Sequence, residues 1–227
     1  RVVPTGYDTG HDRAPGSWTV SASTLAAIVV ALAMATSTVV FSEPAVADML
    51  MAGVIVGLPL LGVIRSGNMA ILNLGLWLAL VALGLAACAV STTMDTAIVH
   101  QVVTLYLALG AFVIAGYIAA DPEPRFRLVM NFYVVACTIA AVTGLAGYFQ
   151  VFSAAYDLFT SFGRARGTFK DPNVMGAAVI PAIVYLVWIG LREPLGRAMI
   201  AGAVLMPLML ALLLSFSRGA WISAALS

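Results

Sequence analysis

Long apolar runs alternate with short polar links along most of this chain. A bilayer core of about 30 Å is crossed by a helix of about 20 mostly apolar residues. Seven runs meet that length: Thr19–Phe41, Ala45–Ile64, Met69–Val90, Ala97–Ala119, Leu128–Gln150, Val174–Leu191 and Ala198–Leu214. An eighth run begins near Gly219 and stops at Ser227, which indicates a fragment of a longer protein. The pattern predicts an all-α, polytopic transmembrane helix bundle.

The composition supports a membrane protein and excludes an ordinary soluble domain. Hydrophobic residues make up 62% of the chain and charged residues 9%, and the net charge is +1. Such a small net charge indicates no nucleic-acid partner. Cys88 and Cys137 lie inside apolar runs, without a histidine or a second cysteine at ligand spacing. We therefore expect both to be small buried side chains, and we expect no metal and no cofactor.

The amino-terminal segment differs from the rest of the chain. Residues 1–18 are mostly polar and contain several glycines and prolines, so we expect a disordered tail. The apolar run that follows is too long for a signal-peptide core, which favours a retained span. The predicted domain division is therefore a tail at 1–18 and a transmembrane domain at 19–227.

The placement of arginine and lysine predicts the orientation of the bundle. With a cytoplasmic amino terminus, seven of the 11 basic residues lie inside: Arg1, Arg13, Arg65, Arg125, Arg127, Arg192 and Arg197. The other four, Arg164, Arg166, Lys170 and Arg218, lie in the last two external links. Because these four oppose the general rule, they suggest an anionic ligand at the external face.

The link after the fifth run is long and aromatic. Tyr148, Phe149, Phe152, Tyr156, Phe159 and Phe162 recur at roughly helical spacing. This spacing predicts a short amphipathic helix in the headgroup layer. Two interpretations are open: an aromatic belt that anchors the helix ends, or a platform for a lipid-linked substrate.

A basic segment precedes the sixth run. Asp171 is a good N-cap residue and Pro172 a good first helical residue, so a helix is predicted to begin there. Arg164, Arg166 and Lys170 lie just before it. A helix amino terminus with free N–H groups and nearby cations suits phosphate binding. The alternative is an ordinary capped helix with solvated basic residues.

A second short segment precedes the eighth run. Ser217 can cap that helix, and Arg218 then falls in its first turn, where the helix dipole disfavours a cation. A bound anion would offset this unfavourable interaction. The alternative is an arginine whose charged group reaches the membrane surface and anchors the helix there.

At these two segments the sequence resembles the O-antigen ligase and polymerase family of bacterial envelope glycosyltransferases. The matching residues are 166–173 (RGTFKDPN) followed by Gly176, and 217–220 (SRGA). The segment 42–44 (SEP) is also similar to related bacterial polymerases. The resemblance covers residues 19–227 and implies a GT-C-like helical fold in the bacterial inner membrane. The active face would be periplasmic.

The resemblance also implies a reaction. Family members transfer a glycan from an undecaprenyl-diphosphate carrier to a sugar hydroxyl on lipid A core or on another repeat unit. The residues carried over as catalytic are Arg166 and Arg218. Those carried over as substrate-binding are Arg164, Lys170, Asp171, Asn173 and Ser217. We expect the base that receives the hydroxyl proton to lie in a portion beyond this chain.

A transport function is the main alternative. A lipid-linked glycan flippase or a polysaccharide exporter would use the same basic external segments without making a bond. Such a protein needs a polar path through the membrane, and the apolar runs contain almost no ionisable residues. A membrane assembly subunit without activity is a further alternative.

Overall fold

Helices form nearly all of the regular structure in the computed structural model, which describes residues 21–41 and 45–227. The predicted tail at 1–18 and the segment 42–44 lie outside the described residues. The helices are α1 (Ala22–Thr36), α2 (Val46–Leu60), α3 (Asn68–Cys88), α4 (Met94–Ala120), α5 (Pro122–Tyr148), α6 (Ala155–Phe159), α7 (Pro172–Arg192), α8 (Leu195–Leu214) and α9 (Arg218–Leu226). Two short strands, β1 (Thr160–Ser161) and β2 (Arg164–Ala165), pair between α6 and α7. The predicted all-α class is confirmed.

Five of these helices are long and apolar enough to cross a membrane: α3, α4, α5, α7 and α8. The first two predicted spans are shorter than expected, because α1 and α2 have 15 residues each, or about 22 Å. Pro59 and Gly62, which has a φ of +65°, explain the end of α2. The described part of the chain therefore supports a multi-pass membrane protein with five such helices.

The predicted link at 121–127 is largely helical. Asp121 alone separates α4 from α5, and each of these helices has 27 residues. Pro122 stands at the start of α5, where its missing N–H costs nothing. Glu123 and Arg127 then form an ion pair one turn apart at 3.2 Å. These favourable positions extend α5 toward its amino terminus beyond the apolar run.

Helix α5 lies between two hydrophobic cores. On one side it packs with α7, α8 and α9 around Cys137, Met175 and Leu208. On the other side α1, α2 and α4 pack around Val30 and Val54. Cys137 is fully buried and Cys88 is 4% exposed, so the prediction of two buried cysteines is confirmed. Helix α5 thus holds the two halves of the bundle together.

Long-range hydrogen bonds show which links share an end of the bundle. The Arg164 side chain donates to the carbonyl of Ser215 at 2.7 Å, so residues 149–171 and 215–217 lie together, at what we call the loop end. At the other end, the opposite end, Arg125 donates to the carbonyl of Val63 and Arg127 donates to Glu193. The two basic segments predicted to share a face therefore do so.

Candidate functional site

The segment after α5 is a compact hairpin and not the amphipathic helix predicted over 148–162. Gln150, with a φ of +54°, follows the end of α5, and α6 has only five residues. Phe162 and Gly163 form the turn between β1 and β2 with φ values of +51° and +72°. The left-handed backbone at these positions interrupts a continuous helix.

Part of the aromatic set is exposed at the loop end. Phe162, at the tip of the hairpin, is 98% exposed, and Phe149 and Phe152 are also exposed. Phe159 anchors the group, because its ring lies 6.3 Å from the rings of both Phe41 and Phe152. Exposed rings at this level fit both the belt and the platform interpretations.

Buried hydrogen bonds around Thr168 hold the segment that follows β2. The Thr168 hydroxyl donates to the carbonyl of Thr38 at 2.6 Å, and the N–H of Val40 donates to the carbonyl of Thr168 at 3.0 Å. The Thr38 hydroxyl in turn donates to the carbonyl of Ala136 on α5. Thr38 and Thr168 are 1% and 4% exposed. These bonds tie the chain after α1 to α5 and to Thr168, which explains why α1 ends early.

Two helices begin side by side at the loop end. Asp171 accepts a hydrogen bond from the N–H of Asn173 at 2.7 Å, and Ser217 accepts one from the N–H of Ala220 at 3.4 Å, so both predicted N-caps are confirmed. Gly176 lets the two starts meet, since a Cβ at this residue would lie 2.9 Å from the Ser215 hydroxyl. The positive ends of the α7 and α9 dipoles therefore point to the same region.

Arg164 lies between the start of α7 and the link before α9. Its Nε donates to the carbonyl of Ser215 at 2.7 Å, and its Nη2 donates to Oδ1 of Asn173 at 2.8 Å. One guanidinium therefore connects the hairpin, the start of α7 and the link before α9. Ser215 is fully buried, and its hydroxyl accepts a hydrogen bond from the N–H of Ser217. The resemblance implied a substrate-binding role for Arg164 and no role for Ser215.

The Arg166 side chain donates to backbone carbonyls of its own loop. Its Nη2 donates to the carbonyls of Leu158 at 3.1 Å and Asp157 at 3.4 Å, and its Nη1 lies 3.5 Å from the carbonyl of Lys170. Its Nε is buried and has no partner among the described residues. This arginine fixes the hairpin against the start of α7.

Arg218 and Lys170 present exposed side chains at the loop end. Arg218 is the first residue of α9, and its side chain makes no hydrogen bond or ion pair with the residues that the structure describes. Residues 149–173 and 215–218 carry four basic side chains against Asp157 and Asp171, a local charge of +2. This excess, together with two helix amino termini, suits an anion.

Comparison with known proteins identifies no similar protein. No protein-family model, no curated protein and no solved structure matches this chain. The resemblance to O-antigen ligases and polymerases consequently rests on the two short motifs.

Proposed function

We propose that this chain forms the membrane domain of a glycosyltransferase of the O-antigen ligase or polymerase type. The substrate would be a glycan on undecaprenyl diphosphate, and the acceptor a sugar hydroxyl at the periplasmic face of the bacterial inner membrane. The observation that carries this proposal is the bridge from Arg164 to Ser215 and Asn173, at 2.7 and 2.8 Å. It holds the first motif beside Ser215, two residues before the second motif, and Gly176 of the first motif packs directly against Ser217 and Ala220 of the second.

The proposed chemistry is a displacement at the anomeric carbon of the donor sugar. The acceptor hydroxyl gives its proton to a general base, its oxygen forms a bond to that carbon, the bond from the carbon to the phosphate oxygen breaks, and undecaprenyl diphosphate leaves. Negative charge grows on the departing diphosphate, so preorganised cations and N–H donors stabilise the transition state. Arg218 and Lys170 supply exposed cations, and the capped starts of α7 and α9 supply N–H groups.

Arg166 has a different part in this proposal from the one that the resemblance implied. Because its Nη groups already donate to carbonyls of its own loop, its main contribution would be to position that loop. Its positive charge still adds to the field at the loop end. Arg218, whose side chain is exposed, becomes the stronger candidate for direct contact with diphosphate.

A transfer assay tests the proposal directly. Membranes that contain the protein are incubated with a fluorescent oligosaccharide on undecaprenyl diphosphate and with an unlabelled acceptor. We expect a larger labelled product together with released undecaprenyl diphosphate, and neither in membranes without the protein. Movement of the labelled lipid between leaflets without a new glycosidic bond would favour the flippase or exporter and would contradict the enzyme.

The proposed orientation has its own test. Cysteine introduced at Phe162, which is 98% exposed at the loop end, should react with a membrane-impermeant maleimide in intact cells. Cysteine introduced at Gly196, an exposed residue at the opposite end, should react only after permeabilisation. Cys88 and Cys137 are buried, so the background should be low. The reverse labelling pattern would place the basic segments in the cytoplasm and exclude a periplasmic site.

A further inference from the structure

A cavity of about 480 Å³ lies near the opposite end of the bundle, between α5, α7 and α8. Its volume falls within the range of roughly 300–1,000 Å³ that is usual for small-molecule sites. It lies apart from the loop end, because its lining includes Arg127, Glu193 and Arg197 at the opposite end. The cavity is therefore separate from the candidate site.

The mouth of this cavity is charged. Glu193 accepts a hydrogen bond from Arg127 at 2.9 Å and another from Arg197 at 2.8 Å, and its side chain is only 13% exposed. These two bonds, first that of Arg127, lower the pKa of Glu193 below its ordinary value, so the group is a carboxylate. A guanidinium has five N–H donors. Glu193 thus orients both guanidinium groups, and Arg127 also donates to Glu123 at 3.2 Å. Each arginine still has N–H donors beyond these bonds.

The rest of the cavity is mainly apolar. Val134, Leu186, Ile189, Ala201 and Val204 line it along the three helices, toward the middle of the bundle. Tyr185 donates to Asn131 at 3.1 Å, so these polar groups are already paired. A charged mouth that leads into an apolar groove matches a molecule with an ionic head and a hydrocarbon tail.

The local charge selects the sign of that head. The charged groups in the lining are Arg127, Arg197 and Glu193, which carry a net charge of +1. The segments 61–67, 121–127 and 192–197 at the opposite end contain five arginines and three acids, a net charge of +2. The Tyr185 and Trp188 rings stack beside the mouth at 5.9 Å, and such rings favour the membrane surface. Basic pockets between transmembrane helices bind anionic lipid headgroups.

We propose that this cavity binds one anionic phospholipid. Its phosphate lies against the free donors of Arg197 and Arg127, and one acyl chain follows the groove between α5, α7 and α8. Arg197 is the principal contact, since its side chain is 69% exposed and Glu193 occupies one of its N–H groups. This site requires a membrane but does not depend on the proposed glycosyl transfer.

Native mass spectrometry of the purified full chain tests the proposal. Released from micelles doped with phosphatidylglycerol or with phosphatidylcholine, the protein should retain one phosphatidylglycerol and little phosphatidylcholine. Arg197→Ala should weaken phosphatidylglycerol retention by about tenfold, since a charge-assisted contact is lost. Arg192→Ala is the matched control, because Arg192 is exposed in the same link and does not line the cavity.

The acyl chain has a separate test. Ala201→Phe places a large side chain in the groove and should abolish retention while both arginines stay in place. Soluble glycerophosphoglycerol, which has the headgroup without the chains, should not compete. Equal retention of the two lipids, equal loss in Arg197→Ala and Arg192→Ala, or efficient competition by the soluble headgroup would overturn the proposal. Elution volume on size-exclusion chromatography checks that each variant is folded.

Discussion

Alanine in place of Gly167 is expected to unfold the loop end. Gly167 has a φ of +55°, which side chains with a Cβ rarely adopt, and a Cβ there would collide with the carbonyl oxygen of Ala140 on α5. The backbone of Gly167 also packs closely against Gly144, because a Cβ added at Gly144 would lie 3.2 Å from the amide nitrogen of Gly167. Left-handed strain and backbone overlap together should cost roughly 3 kcal/mol or more. We expect the buried hydrogen bonds of Thr168 and the hydrogen bonds of Arg164 to Ser215 and Asn173 to be lost.

The control for this variant is Gly163→Ala. Gly163 also has a positive φ, of +72°, but the nearest atom to a Cβ there is the Tyr156 hydroxyl oxygen at 3.8 Å. Gly163→Ala should therefore lower the free energy of unfolding by about 1–2 kcal/mol through the left-handed backbone alone, without a steric collision. Apparent Tm in detergent and the fraction of monodisperse protein measure the difference. A similar Tm for the two variants would show that α5 does not pack closely against residue 167.

Under the proposed function, alanine in place of Arg218 is expected to reduce glycan transfer by about 100-fold or more. This is the usual effect of removing one preorganised donor from a site where negative charge develops. Stability should stay unchanged or rise slightly, because an exposed cation in the first turn of α9 is unfavourable without an anion. Arg218→Lys should recover only part of the activity, since lysine keeps the charge but loses the two-pronged contact with phosphate.

The assay for Arg218 follows chain extension or ligation in cells whose own gene carries the substitution, with the protein level checked by immunoblot. Arg192→Ala, an exposed arginine at the opposite end, is the matched control and should retain activity. Normal transfer by Arg218→Ala at equal protein level would make Arg218 an anchor at the membrane surface. The same pattern of loss in Arg192→Ala would point to a general effect of charge on insertion.

Much of the local structure at the loop end could be predicted from the sequence. Asp171 before Pro172, and Ser217 before Arg218, marked two helix starts, and both caps are present. A cap depends on a side chain and an N–H group two or three residues away, so neighbouring residues are sufficient to specify it. The apolar runs likewise predicted helices, since hydropathy is a property of each segment.

The ends of several helices could not be predicted in this way. Helix α1 ends at Thr36 although the apolar run continues, because Thr38 and Val40 bond to Ala136 and to Thr168, which is 130 residues from Thr38. The aromatic segment after α5 satisfied a helical spacing and still folded as a hairpin. Hydropathy shows which residues avoid water, and it does not show where the backbone finds hydrogen-bond partners.

The sequence by itself determined the all-α class, the two buried cysteines, the two helix starts and the cations beside them. Only the tertiary structure decided what those cations contact: Arg164 bridges Ser215, 51 residues away, whereas Arg166 turns to carbonyls of its own loop. Both are arginines in one short basic segment, and no local pattern separates them. Their different roles arise because the packing of α5, α7 and α8 places the carbonyl of Ser215 within reach of one guanidinium.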